Sequence, residues 1–226
     1  MQAFFLDESY YTAAEWTSLV SGYSLAGDGA DEGFFAGMAA TANLFQRTRT
    51  LLSQDLVSQE ETERLTSCAF ALHQTLKKRV SDLSERLDGA RGLWVMGMHT
   101  TEAKFAHGFC ARDYGLALST QIVVNCILAA LQREWYDSAK GENIRLCQEI
   151  FNLGEREAIY HRPLGSSWML IALPVASIGA SSAQDKKRVA KLVADYTHGY
   201  SGEATDVQTI EMERLAIYLS CSDLTL

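Results

Sequence analysis

Both prolines of this chain, Pro163 and Pro174, fall within residues 160–174, YHRPLGSSWMLIALP. Proline lacks a backbone N–H and clashes with the preceding helical turn, so it interrupts helices. This segment therefore joins two helical patterns. Elsewhere apolar residues recur at spacings of three and four nearly throughout, and no convincing alternation of period two is found. The expected fold is all-α. A hydrophobic content of 47% supplies one sizeable core. No long stretch rich in Pro, Gly and Ser marks a linker, and no internal repeat is visible, so residues 1–226 are read as a single domain.

The pattern predicts about eight helices. Asp7 caps a first helix reaching Val20, and the glycines of residues 22–33 form a loop. A second helix spans residues 32–52. Ser58 and Glu61 have the form of a capping box, with the Glu61 carboxylate closing the first turn of a helix over residues 58–87. Leu65, Cys68, Ala69, Leu72, Leu76, Val80, Leu83 and Leu87 lie on its apolar face. Asp88-Gly89 reads as its stop. Helix resumes near Thr100 and again from Arg112 to Trp135, and residues 137–141 read as a break before a helix over 142–160. Ser166 is the expected N-cap of an apolar helix over residues 166–178, placed at the centre of the bundle. Ser181 or Ser182 caps the next, and a last helix starts at Asp206.

The net charge is −8. Nucleic-acid surfaces need a basic patch or stripe. The densest basic clusters, Lys77-Lys78-Arg79 and Lys186-Lys187-Arg188, have acids nearby and read as solvated faces. Specific DNA affinity is not expected. Cys68, Cys110, Cys126, Cys147 and Cys221 are odd in number and widely spaced. That is neither a disulfide framework nor a zinc knuckle, and it favours a reducing compartment. No signal-peptide pattern and no apolar run near 20 residues is found. The expectation is a soluble intracellular protein, cytoplasmic or, for a regulator, nuclear, monomeric or homodimeric.

Chemistry-bearing motifs are sparse. His99, Glu102 and His107 are close in sequence but lack the spacing of a metalloprotease helix, and no metal is expected. His161 lies at a helix end, where the dipole favours it. Cys110, between His107 and Arg112, is the least bland thiol. No nucleophile elbow, dinucleotide fingerprint, haem motif or kinase signature is present, so no cofactor is implied. The strongest oddity is a polar track of Asp113, Gln121 and Asn125 on an apolar helix that also holds Tyr114. Gln121 and Asn125 are four apart and share a face. They form either a satisfied internal network or a pair of contacts lining a ligand cavity. Trp94, Met96 and Met98, and Trp168 and Met169, could be adaptable pocket walls or simply core. Pro174 should kink its helix and open a cavity against the helix after Arg112. The candidate catalytic residues are Asn125 and Gln121. The candidate ligand contacts are Trp168, Tyr114, Trp94, Met98 and Met169.

The run from Cys110 to Ile178 resembles the C-terminal regulatory domain of fungal binuclear zinc-cluster transcription factors. The resemblance rests on the apolar helix over residues 116–131, on the run ENIRLCQEIFNLGERE, and above all on the junction Arg162-Pro163-Leu164-Gly165-Ser166-Ser167-Trp168. It implies an all-α regulatory fold, found in regulators of secondary-metabolite clusters. The cysteine-rich DNA-binding module, its basic linker and its coiled coil are not in the sequence. Two functions are expected from this. One is a stand-alone protein of fungal secondary metabolism that binds an apolar polyketide- or terpenoid-like molecule and guides a cofactor-free cyclisation or pericyclic, Diels-Alder-type step, using shape and one or two hydrogen bonds. The alternative is a ligand-responsive or partner-binding regulator without its own DNA contact.

Overall fold

A computed structural model describes residues 30–54, 56, 58–95, 101–158, 164–180 and 182–201. The expected helices near Asp7 and Asp206, and Cys221, lie outside the described residues. Six α-helices and no strand are found among the described residues: α1 Ala30–Leu52, α2 Gln59–Val95, α3 Thr101–Leu131, α4 Tyr136–Arg156, α5 Leu164–Gly179 and α6 Ala183–Ser201. A short 3-10 turn, Arg133–Trp135, joins α3 to α4.

The centre of the bundle is α3, not the proline-containing helix expected there. α3 packs against α1, α2, α4 and α5, whereas α5 packs against α3, α4 and α6. Length decides this. The two helices expected from Thr100 and from Arg112 are one helix of 31 residues, long enough to cross the whole bundle. Its second half, from Ala111 to Leu128, is buried almost all round. By length and composition α3 could cross a membrane, but 78% of its most apolar window is buried inside the bundle, as in a core helix.

Two other expected boundaries move. α2 runs through Asp88-Gly89 to Val95, because Arg91 beyond the glycine bonds both Asp88 and Glu157, 66 residues away. The bond to Glu157 is tertiary and the one to Asp88 lies within the helix, and together they offset the ~1 kcal/mol preference against glycine in a helix. The break before α4 falls at Gln132, whose backbone is extended (φ −137°, ψ 108°), and α4 continues through Gly141.

The caps divide. Ser182 accepts the Asp185 N–H at 3.0 Å and donates its hydroxyl to the Asp185 carboxylate, as expected of a cap. Ser58 accepts a long 3.4 Å bond from the Glu61 N–H, but the Glu61 carboxylate turns to Arg47 and Arg64 instead of closing a box. α5 starts at Leu164, so Ser166 sits inside its first turn and is not the N-cap.

Glycines set how closely α5 approaches. A Cβ on Gly115 of α3 would stand 2.5 Å from the Trp168 ring and 2.9 Å from Leu153. One on Gly154 of α4 would stand 2.8 Å from Met169, and one on Gly179 would stand 2.6 Å from the Asn143 carbonyl. Side chains and backbone occupy the space that those three positions leave. The Cys147 thiol donates to the Ala176 carbonyl at 2.9 Å, satisfying a group near the C-terminal end of α5.

Candidate functional site

His73 of α2, Gln121 and Asn125 of α3, and Glu142 and Asn143 of α4 meet in one polar cluster inside the bundle. α3 presents Gln121 and Asn125 from successive turns of one face, and both are fully buried. Asn125 is fully committed. Its amide nitrogen donates to Glu142 Oε2 at 3.1 Å and to Asn143 Oδ1 at 2.9 Å. Its oxygen lies 2.8 Å from His73 Nδ1. With both amide hydrogens used, the oxygen must accept, so His73 carries its proton on Nδ1. Gln121 donates to Glu142 Oε1 at 3.0 Å, and its own Oε1 is buried with no hydrogen-bond partner. Asn143 reaches on to the Cys126 sulfur at 3.5 Å. Burial pushes the Cys126 thiol up to about 12, so it stays protonated.

Aromatic rings close one side. His73 meets Trp135 edge-on at 5.7 Å between centroids, and Phe70 meets Trp135 the same way at 5.8 Å. Trp135 Nε1 is a second buried atom without a hydrogen-bond partner. Phe70 and Tyr136 are exposed beside the cluster, and the Glu142 side chain retains 18% of its surface.

A second cluster ties three helix ends. His107 Nε2 lies 2.7 Å from Glu157 Oε2, and Arg91 donates to Glu157 Oε1 at 3.0 Å. The His107 hydrogen bond, helped by Arg91, holds the Glu157 carboxyl below its ordinary value against the opposing effect of burial. His107 is thus committed to a residue 50 positions away in the chain. The neighbouring Glu102 is exposed, and His99 and His161 lie outside the described residues. Cys110 is half-buried and its thiol is pushed up by that burial, the reverse of what an activated nucleophile needs.

The remaining expected contacts fall elsewhere. Trp168 and Met169 are buried against Gly115 and Gly154. Gly115 lies six and ten residues before Gln121 and Asn125, ~9 and ~15 Å along the helix axis. The two amides face α2 and α4, so the structure does not bring them to Trp168 at α5. Tyr114 is buried, and desolvation raises its phenol despite a hydrogen bond with Ser84. The Trp94 side chain and Met98 lie outside the described residues.

Sequence reasoning missed His73, Glu142 and Asn143. One signal was available for His73: it stands four after Ala69 and three before Leu76, within the apolar stripe of α2, where a polar residue needs an internal partner. Glu142 and Asn143 gave no such signal, because residues 137–141 read as a break. No family model, no curated protein and no solved structure matches the chain.

Proposed function

We propose that this chain is a ligand-responsive helical regulatory domain whose sensing centre is the His73–Gln121–Asn125–Glu142 cluster. One observation carries the reading: α3 holds the polar cluster in one stretch and Gly115, the seat of Trp168, in another. A ligand that changes the pairing of Gln121 or Glu142 acts on the helix against which α5 packs. Helices in a dense core respond by discrete repacking, which gives such a domain two states to choose between. The resemblance of the Arg162 to Trp168 junction to fungal regulators agrees with this role. The catalytic reading, a cofactor-free cyclisation, draws its support from the unpartnered Gln121 Oε1. Asn125, its other proposed contact, already uses both hydrogens and its oxygen.

The test is a fusion of the whole chain to a heterologous DNA-binding module with a transcriptional reporter, read with and without extracts of metabolite-producing cultures. A response that Glu142→Gln abolishes while the folded fraction stays unchanged supports the reading. Reporter output that no extract alters, or that Glu142→Gln leaves intact, rejects it.

A further inference from the structure

We propose that the polar cluster binds a small protonated amine, held by Gln121 Oε1, the Glu142 carboxylate and His73 Nε2. The inference rests on the regulatory reading above and names the ligand class for its site. Three observations lead to it. First, Gln121 is fully buried and its Oε1 accepts nothing. Amide oxygen and nitrogen are ~2.2 Å apart from standard bond lengths, and Gln121 Nε2 is 3.0 Å from Glu142 Oε1. The free oxygen therefore lies within ~5.2 Å of that carboxylate oxygen, the sum of the two distances.

Second, acceptors exceed donors there. The Glu142 carboxylate receives one neutral amide N–H on each oxygen. His73 keeps its proton on Nδ1, so a neutral ring turns the Nε2 lone pair toward Glu142 Oε2, 3.9 Å away. Two acceptors at that distance can share one donor nitrogen that sits to the side of the line joining them, at ~2.8 Å from each. The Arg145 guanidinium reaches only to 3.9 Å of Glu142 Oε1 and is mostly exposed, so solvent screens much of its charge. An ammonium group has three donors and no acceptor, the complement of this set.

Third, there is an approach from solvent with the chemistry for a cation. The Glu142 side chain is partly exposed, and the exposed Phe70 ring stands against Trp135 at the edge of the cluster. Aromatic faces attract ammonium ions. The orphan Nε1–H of Trp135 is a donor on the ring that meets His73 edge-on, and it would suit an oxygen carried by the same ligand. An amino alcohol carries both groups.

The test is calorimetric titration of the whole chain with ethanolamine, with ethylamine and ethylene glycol as partial probes. Ethanolamine should bind saturably, ethylamine more weakly, and ethylene glycol not at all. Glu142→Gln keeps the shape and removes the charge, and should weaken ethanolamine at least ~10-fold, as loss of a charge-assisted bond does. Gln121→Met should weaken it as well, with circular dichroism unchanged in both variants. Absence of saturable binding by the wild-type chain overturns the proposal. So does binding that Glu142→Gln leaves unchanged, or a nitrogen NMR spectrum showing His73 as an imidazolium whose Nε2–H already points at Glu142. If amines fail to bind while Glu142→Gln still abolishes the reporter response, the ligand class is wrong and the regulatory reading stands. If amines bind but never alter reporter output, the regulatory reading falls and the site remains.

Discussion

The two halves of the core that α3 builds work by different physics. Around Gly115, Trp168 and Leu153 the contact is apolar and steric, and a Cβ on Gly115 could not be added without moving Trp168 or Leu153. Around Asn125 and Glu142 the contact is polar and stoichiometric: each hydrogen bond assigns one donor to one acceptor across α2, α3 and α4. The steric half fixes how closely helices approach. The polar half fixes which residues face each other, since a slip of one residue along α3 would strand several buried polar atoms. It also carries two buried atoms without a hydrogen-bond partner, Gln121 Oε1 and Trp135 Nε1, so its pairing is incomplete.

The largest expected effect is in the steric half. Trp168→Ala should destabilise the fold by ~3–5 kcal/mol, the usual cost of truncating a buried aromatic, measured by denaturant unfolding. A loss below ~1 kcal/mol would show that the Gly115 seat is loosely filled. In the polar half, Asn125→Ala takes the hydrogen-bond partner from buried His73 Nδ1 and buried Asn143 Oδ1, while Glu142 Oε2 is partly exposed and can turn to water. It should cost at least ~2 kcal/mol, since each stranded buried group costs ~1–3. A neutral outcome would mean that water already serves those atoms.

Gly115→Ala tests the seat from the other side. Overpacking costs ~1–3 kcal/mol, against a gain of up to ~1 kcal/mol in helix propensity. Trp168→Phe should lessen the penalty in a double-mutant cycle. Additive effects would break the claim that the two residues share one space.

Part of the acid response should come from Glu157, which lies outside both halves. Its folded carboxyl titrates below the ordinary value of 4.5, chiefly because of His107. The carboxylate therefore contributes stability above pH 4.5, and that contribution is lost as the pH falls through the depressed folded value. Glu157→Gln should flatten this acid limb of the thermal-melting profile, and an unchanged limb would remove Glu157 as its source. The smallest effect is Gln121→Met, within ~1 kcal/mol of wild type, because the substitution also removes an unmatched buried oxygen. Set beside Asn125→Ala, it separates a completed pair from an incomplete one.

Periodicity and the scarcity of proline determined that the described part of this chain is all-α, and the three-and-four spacing of Leu65, Ala69, Leu76 and Leu83 placed the buried face of α2. Cys68, assigned to that face, is exposed, because it lies one position off the stripe that tertiary contacts select. Gln121 and Asn125 were legible as buried amides that need partners, since an apolar helix cannot leave them in water. Their partners were not legible, because His73, Glu142 and Asn143 come from helices 17 to 52 residues away in the chain. Local signals also misplaced the helix ends at Gly89 and Gly141, where glycine's preference of ~1 kcal/mol yields to long-range bonds such as Arg91 to Glu157. Sequence alone decided most of the buried stripe, since that depends on each side chain and its near neighbours, but not members at its edge such as Cys68. Only the tertiary structure decided that α3 is the central helix and that Trp168 and Asn125 serve separate sites, because pairing across helices is set by their packing and not by spacing along any one of them.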